Sequence, residues 1–287
     1  MEKNEITTRE KLKTYFETGK YPTESQFAQL IDFFRLKEDV LTNKELVTLA
    51  NNLAALDNGY ILYSTSSIEN EKFPIVVSSK EGESQTFTIE KTENKEQKRY
   101  FQGSAPYTVS TKEFLVDRLE GYRYYYLNTQ IDDGYTTSRL FGNNLPPIPE
   151  NFELVTVENK KISIKISNED FDRKINNLHT RLTFVNKTEI LIEYALYGNY
   201  WSNKYISEDM VTDHYDLGDF LVCFYRADLS GISKSIECKI YDEDNDTLLM
   251  TASLVPGQKN INVSAGAVLS GVRNARIECD YESQANK

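Results

Sequence analysis

The chain has 287 residues, 39% hydrophobic and 27% charged, with a formal net charge of −11. This balance excludes wholesale disorder. It also excludes a nucleic-acid backbone as partner, because phosphate binding needs clustered Lys and Arg.

The first fifty residues read as helices. Thr7-Thr8-Arg9-Glu10 is a capping box, in which a hydroxyl and a carboxylate satisfy the free amides of a helix start. Leu12, Tyr15 and Phe16 follow at helical spacing, and Gly19 closes the turn. Thr23-Glu24-Ser25-Gln26 opens a second helix carrying Phe27, Leu30, Ile31 and Phe34 on one face, and Pro22 keeps the two apart. Thr42-Asn43-Lys44-Glu45 opens a third, with Leu46, Leu49, Ala50 and Leu53. Phe16, Phe27, Leu30, Ile31 and Phe34 exceed what three short helices bury among themselves, which makes them the candidate docking residues.

After Asp57-Asn58-Gly59 the period changes from 3.6 to 2. The abundance of 19 Tyr and 14 Phe suits pleated, half-buried surfaces. Strands are predicted at 60–65, 73–78 and 85–90, a solvated tip over the charge run 91–99, and a short helix over 111–119. Segments 122–130 and 135–141 flank Asp132-Asp133-Gly134, a hairpin signal because Asp-Gly accepts positive φ. Leu145-Pro146-Pro147-Ile148-Pro149 reads as a stiff linker. Beyond it strands are predicted at 153–157, 161–166, 180–184, 189–197, 220–225, 235–241, 247–254, 260–264 and 275–281. Spacing near ten residues with polar turns is the pattern of a sandwich or barrel.

The fold class expected is therefore mainly β (α+β): a three-helix N-terminal segment followed by β-sandwich or barrel-like domains. Residues 1–56 form the helical docking segment, 57–144 a first β-rich domain, 145–150 the linker and 151–287 a C-terminal β-sandwich-like domain.

Signatures of chemistry are sparse. Cys223, Cys238 and Cys279 lie in apolar stretches without CxxC spacing, the pattern of buried free thiols in a chain folded in a reducing cytoplasm. His179 and His214 have no G-x-S-x-G or papain-like cysteine context and read as surface or strand-end residues. Asp242-Glu243-Asp244-Asn245-Asp246 starts like a calcium loop, but Thr247 and Ser253 stand where Gly and Glu are required, so a polar hairpin is expected. Glu193, Glu208, Asp209, Asp213 and Asp216 could supply the carboxylate pair of a glycosidase, although such clusters are common in acidic chains. Neither a catalytic residue nor a cofactor or metal is expected. Tyr194, Tyr197, Tyr200, Trp201 and Tyr205 cluster among small polar residues. Tyr197, Tyr200, Trp201 and Tyr205 are candidate ligand contacts, and the competing account is a β-core or subunit interface.

The stretch from Arg9 to Asp32 resembles the N-terminus of fibre-like and appendage proteins of phages, prophages and related injection particles in Bacteroidetes-type bacteria. The shared pattern is matched at Leu12, Lys13, Phe16, Thr18, Gly19, Pro22, Thr23, Phe27, Leu30, Ile31 and Asp32. The resemblance covers about a tenth of the chain, and no fibrous repeats follow. It implies a virion or tail structural protein, not an enzyme, whose helical end docks to the particle and whose β-body assembles, as a trimer or other homo-oligomer. The partners implied are other virion or tail proteins and a host-surface glycan or protein. The polar start, Met1 to Arg9, predicts no signal peptide, and no apolar run predicts membrane insertion. Synthesis in the bacterial cytoplasm and residence in a virion or injection particle follow. The alternatives are a carbohydrate-binding module without particle association and a glycan-active hydrolase.

Overall fold

The computed structural model describes residues 9–33, 49, 59–93, 96–116, 119–131, 136–158 and 161–282. The chain divides into two compact units after Asp57.

In the first unit the capping chemistry of Thr23 and Gln26 is realised. Thr23 N donates to Gln26 Oε1 (2.9 Å), and Gln26 N donates to Thr23 Oγ1 (3.3 Å). They open α2, Glu24–Phe33; α1 spans Arg9–Thr14 and is shorter than its apolar spacing predicts. Thr14 Oγ1 turns back onto the Lys11 carbonyl (2.7 Å), and the chain unwinds through turns to Gly19 at φ +87°. Leu12 is buried, Phe16 meets Phe27 edge-on at 5.6 Å, and Tyr15 Oη donates to Gln29 Oε1. Two short helices are therefore present among the described residues rather than the three predicted. The third, from Thr42, lies outside them except for Leu49, as do Phe34 and the Asp132–Gly134 turn.

The second unit is mainly β, with several sheets. Its first nine strands are β1 (Gly59–Ser66), β2 (Phe73–Ser79), β3 (Gln85–Ile89), β4 (Gln97–Phe101), β5 (Tyr107–Thr111), β6 (Arg123–Ile131), β7 (Thr136–Phe141), β8 (Glu153–Val157) and β9 (Lys161–Asp170). They continue as β10 (Asn177–Leu178), β11 (Arg181–Asn186), β12 (Ile192–Gly198), β13 (Trp201–Ser202), β14 (Met210–Val211) and β15 (His214–Tyr215). The last five are β16 (Phe220–Ala227), β17 (Ile236–Asp242), β18 (Thr247–Leu254), β19 (Val263–Ser270) and β20 (Asn274–Tyr281).

A nine-stranded sheet runs β19-β16-β12-β13-β7-β6-β9-β1-β4. Beside it stand a four-stranded sheet, β3-β2-β5-β8, and a five-stranded one, β14-β11-β20-β17-β18. The four-stranded sheet shares one core with β4, β1, β9, β6 and β7, and these make a first lobe. At its centre Phe73 touches Phe114, Tyr125 and Phe141 at 5.1–5.6 Å. The five-stranded sheet shares a second core with β12, β13, β16 and β19, centred on Trp201, Tyr194 and Tyr225. Strands β6 and β7 serve both: Tyr125 and Phe141 enter the first core, Tyr124 and Leu140 the second, because neighbouring strand residues face opposite ways.

Two expectations are overturned here. The proline segment does not separate two domains, because β8 beyond it pairs with β5, and β9 inserts between β1 and β6. Leu145 and Ile148 are buried, and Ile148 O accepts from Phe114 N (2.9 Å), so the prolines shape a packed loop. The lobes instead change over after β9, between residues 170 and 177. Among the described residues 111–116 and 119 the predicted helix is not present: β5 runs to Thr111, and Phe114 bridges Ile148 in extended form.

Within the nine-stranded sheet the lobes meet at one point. The pairing of β13 with β7 is a single register pair, Ser202 with Ser138. The six-pair ladder of β6 with β7 narrows there to one pair, and β13 joins β12 through two.

Candidate functional site at the seam between the lobes

Arg139 follows Ser138 on β7, opposite Leu127, so alternation turns it inward with Phe141. Its side chain is only 9% exposed. The guanidinium lies 4.7 Å from the Trp201 ring and 5.1 Å from the Phe152 ring, one aromatic from each side of the seam. Nη1 donates to Ser138 O (2.8 Å) and Ser202 O (2.6 Å), bracing the joint. Nη2 faces Asp213 Oδ1 at 3.4 Å, and the same oxygen accepts from Trp201 Nε1 at 2.6 Å. Water around the Arg139 guanidinium is thus replaced by a fixed set of carbonyls, a carboxylate and two rings.

Two cavities open beside this arginine. One of about 510 Å³ is lined by Thr137, Arg139, Phe152, Glu153, Lys204 and Met210, among others. Another of about 340 Å³ is lined by Arg139, Pro146, Pro149, Asn177, Asp213 and Tyr215, among others. Arg139 and Phe152 belong to both. Arg139 Nε and Asn177 Oδ1 are buried without a hydrogen-bond partner among the described residues. Asp213 is 50% exposed, so the pair it makes with Arg139 is open to solvent on one side. A groove with a held cation, an exposed carboxylate and aromatic walls suits a polar partner. Sequence reasoning missed Arg139. The available signal was its phase: a charge in step with Thr137 and Phe141 on the inward face of a strand.

The four aromatic ligand candidates do not form one platform. Trp201 is fully buried in the second core, where it packs against its neighbours and offers no open face to a ligand. The register sets Gly198 against Trp201 and Tyr197 against Ser202, so Tyr197 and Trp201 face opposite ways. Tyr197 is 44% exposed. Tyr200, at φ 58°, packs edge-on to Tyr126 and Phe171, and burial raises its phenol above the ordinary value. Tyr205 is buried under the Arg226 guanidinium (4.1 Å) and donates to Asn262 Oδ1. Of the docking candidates, Phe16 and Phe27 are half-exposed, Leu30 is partly buried and Ile31 is 66% exposed.

Carboxylates considered for hydrolysis are engaged by different partners. Glu193 binds Arg226, Asp209 accepts from Phe184 N, and Asp216 accepts from Asn176. His214 is buried rather than at the surface. Its Nδ1 meets Thr212 Oγ1 at 2.8 Å, and its Nε2 lies 3.5 Å from Asp219 Oδ1. That order imitates a nucleophile, base and acid, but Thr212 is itself buried and also accepts from Thr180 N (2.9 Å). Burial pushes the imidazole below its ordinary pKa against the pull of Asp219. In the 242–246 hairpin, Asp242 accepts from Asp244 N and Asn245 Nδ2, and Asp246 binds Arg276, so the carboxylates serve the turn. Among the described residues no three His, Cys, Asp or Glu side chains converge as a metal site requires. Nor is any helix among them long and apolar enough to cross a membrane. No protein-family model matches the chain, and no curated protein matches it in sequence.

Proposed function

We propose that the chain is a non-enzymatic structural protein of a phage-like virion or tail. Its helical unit docks to the particle, and its two sandwich-like lobes assemble and attach to a partner or host surface. The observation that carries this reading is the apolar surface of the two described helices, on which Phe16, Phe27 and Ile31 are exposed. The resemblance of residues 9–32 to particle-proximal segments of tail appendages supports the same role. Attachment is assigned to the seam groove rather than to Trp201, because the groove offers exposed polar groups beside fixed rings. A carbohydrate-binding module is the second reading, and it would use the same groove.

Fractionation of producing cells tests the proposal. The chain should sediment with tail-like particles, and Phe27→Asp with Ile31→Asp should release it while leaving the melting of the β-unit unchanged. A wild-type chain that never leaves the soluble fraction overturns the reading.

A further inference from the structure

The second core holds all three cysteines, and two of them face each other. Cys238 on β17 and Cys279 on β20 are direct register partners in an antiparallel pair, with Sγ atoms 3.0 Å apart. Directly opposed residues in such ladders have Cα atoms about 4.5–5.5 Å apart, within the roughly 4.4–6.8 Å that a disulfide spans. Cys223 lies on β16 in the facing sheet, and its thiol points to Phe224 O at 3.9 Å. We propose that Cys238 and Cys279 are an oxidation site, joined as a cross-strand disulfide by exchange with a low-molecular-weight disulfide. This stands independently of the proposed role in a particle.

The exchange balances as two steps. One cysteine loses its proton, and its thiolate attacks a sulfur of the small disulfide, releasing one small thiolate and leaving a mixed disulfide. The other cysteine, deprotonated in turn, attacks the protein sulfur of that bond and expels the second small thiolate. Two protein thiols are oxidised, one small disulfide is reduced, and two small thiols leave with the protons. Both cysteines are fully buried, so the reagent reaches them only when the sheet opens. The opening required is near the end of the sheet, because β18 alone lies beyond β17 in the strand order. Once formed, the bond ties residues 41 positions apart and constrains the unfolded chain.

The test uses the full chain, purified reduced and incubated with oxidised glutathione, with and without urea below the unfolding transition. After quenching, the chain is unfolded, alkylated and mapped by mass spectrometry without reduction. In urea the expected result is a chain lighter by two hydrogens, with only Cys223 alkylated, a linked Cys238–Cys279 peptide, and a melting temperature that rises and returns on reduction. Cys223→Ser should behave the same, and Cys279→Ser should form no intramolecular bond. Three alkylated cysteines under both conditions, or a bond that includes Cys223, overturns the proposal.

Discussion

The two lobes solve the same problem with different materials. The first core is built on long ladders that satisfy most of the backbone by themselves, with the buried pair Thr65 and Thr92 closing one gap. The second includes two-residue strands, where the ladder runs out and side chains finish the work. Tyr215 Oη donates to Leu140 O and accepts from Leu140 N; Asn203 Oδ1 accepts from Leu196 N; Thr212 Oγ1 accepts from Thr180 N. Buried backbone groups need partners whatever the fold. Where strands are short, polar side chains become core residues.

The largest effect expected is from emptying either core. Phe73→Ala in the first lobe and Trp201→Ala in the second should each cost about 3–5 kcal/mol in denaturant unfolding. If Trp201→Ala leaves stability unchanged, the second core is not organised around that ring. Arg139→Ala should cost less, about 2 kcal/mol, because Asp213 is half solvated and the pair is not fully buried. Separate unfolding transitions for the two lobes in this variant would show that the arginine couples them; a single unshifted transition would show that it does not.

The smallest effect is a pH dependence confined to the second lobe. Burial lowers the His214 pKa below its unfolded value of about 6.5, with Asp219 and Asp213 opposing and Arg273 assisting. The unfolded chain therefore binds more protons below that pH, and stability falls as pH drops through about 6.5. The Asp219 carboxyl is held low, chiefly by Arg273, so its contribution is lost only at more acid pH. His214→Gln should flatten stability measured between roughly pH 7.5 and roughly pH 5.5. An unchanged slope would assign the titration elsewhere.

Much of the strand pattern was legible because period 2 is local. The hairpin closing at Asp242 and Thr247 and the Thr23–Gln26 box are both local chemistry. Strand β4 is hidden by its charges: Lys98 and Arg99 are exposed at the edge of the sheet, where charge discourages further pairing, and only Phe101 is buried. Phe114 has helical spacing, but its partner Ile148 lies far along the chain and no local rule reveals it. The lobe boundary escapes the sequence for the same reason, since prolines read as a spacer while the parallel pairing of β1 with β9 sets Tyr60 beside Lys161. Arg139 escaped notice because its meaning depends on Trp201 and Phe152, which only the fold brings near.

The one-residue joint between β7 and β13 has a mechanical consequence. Ladders many residues wide resist shear by loading their hydrogen bonds together, whereas a single pair takes the load alone. Load crossing the β7–β13 ladder itself falls on the Ser138–Ser202 pair and on the guanidinium that grips both carbonyls, while Tyr124, Leu140 and Tyr215 tie the lobes beside it. The sheet is continuous in connectivity, and where its ladder is one pair wide the arginine supplies the bonds that further pairs would have made.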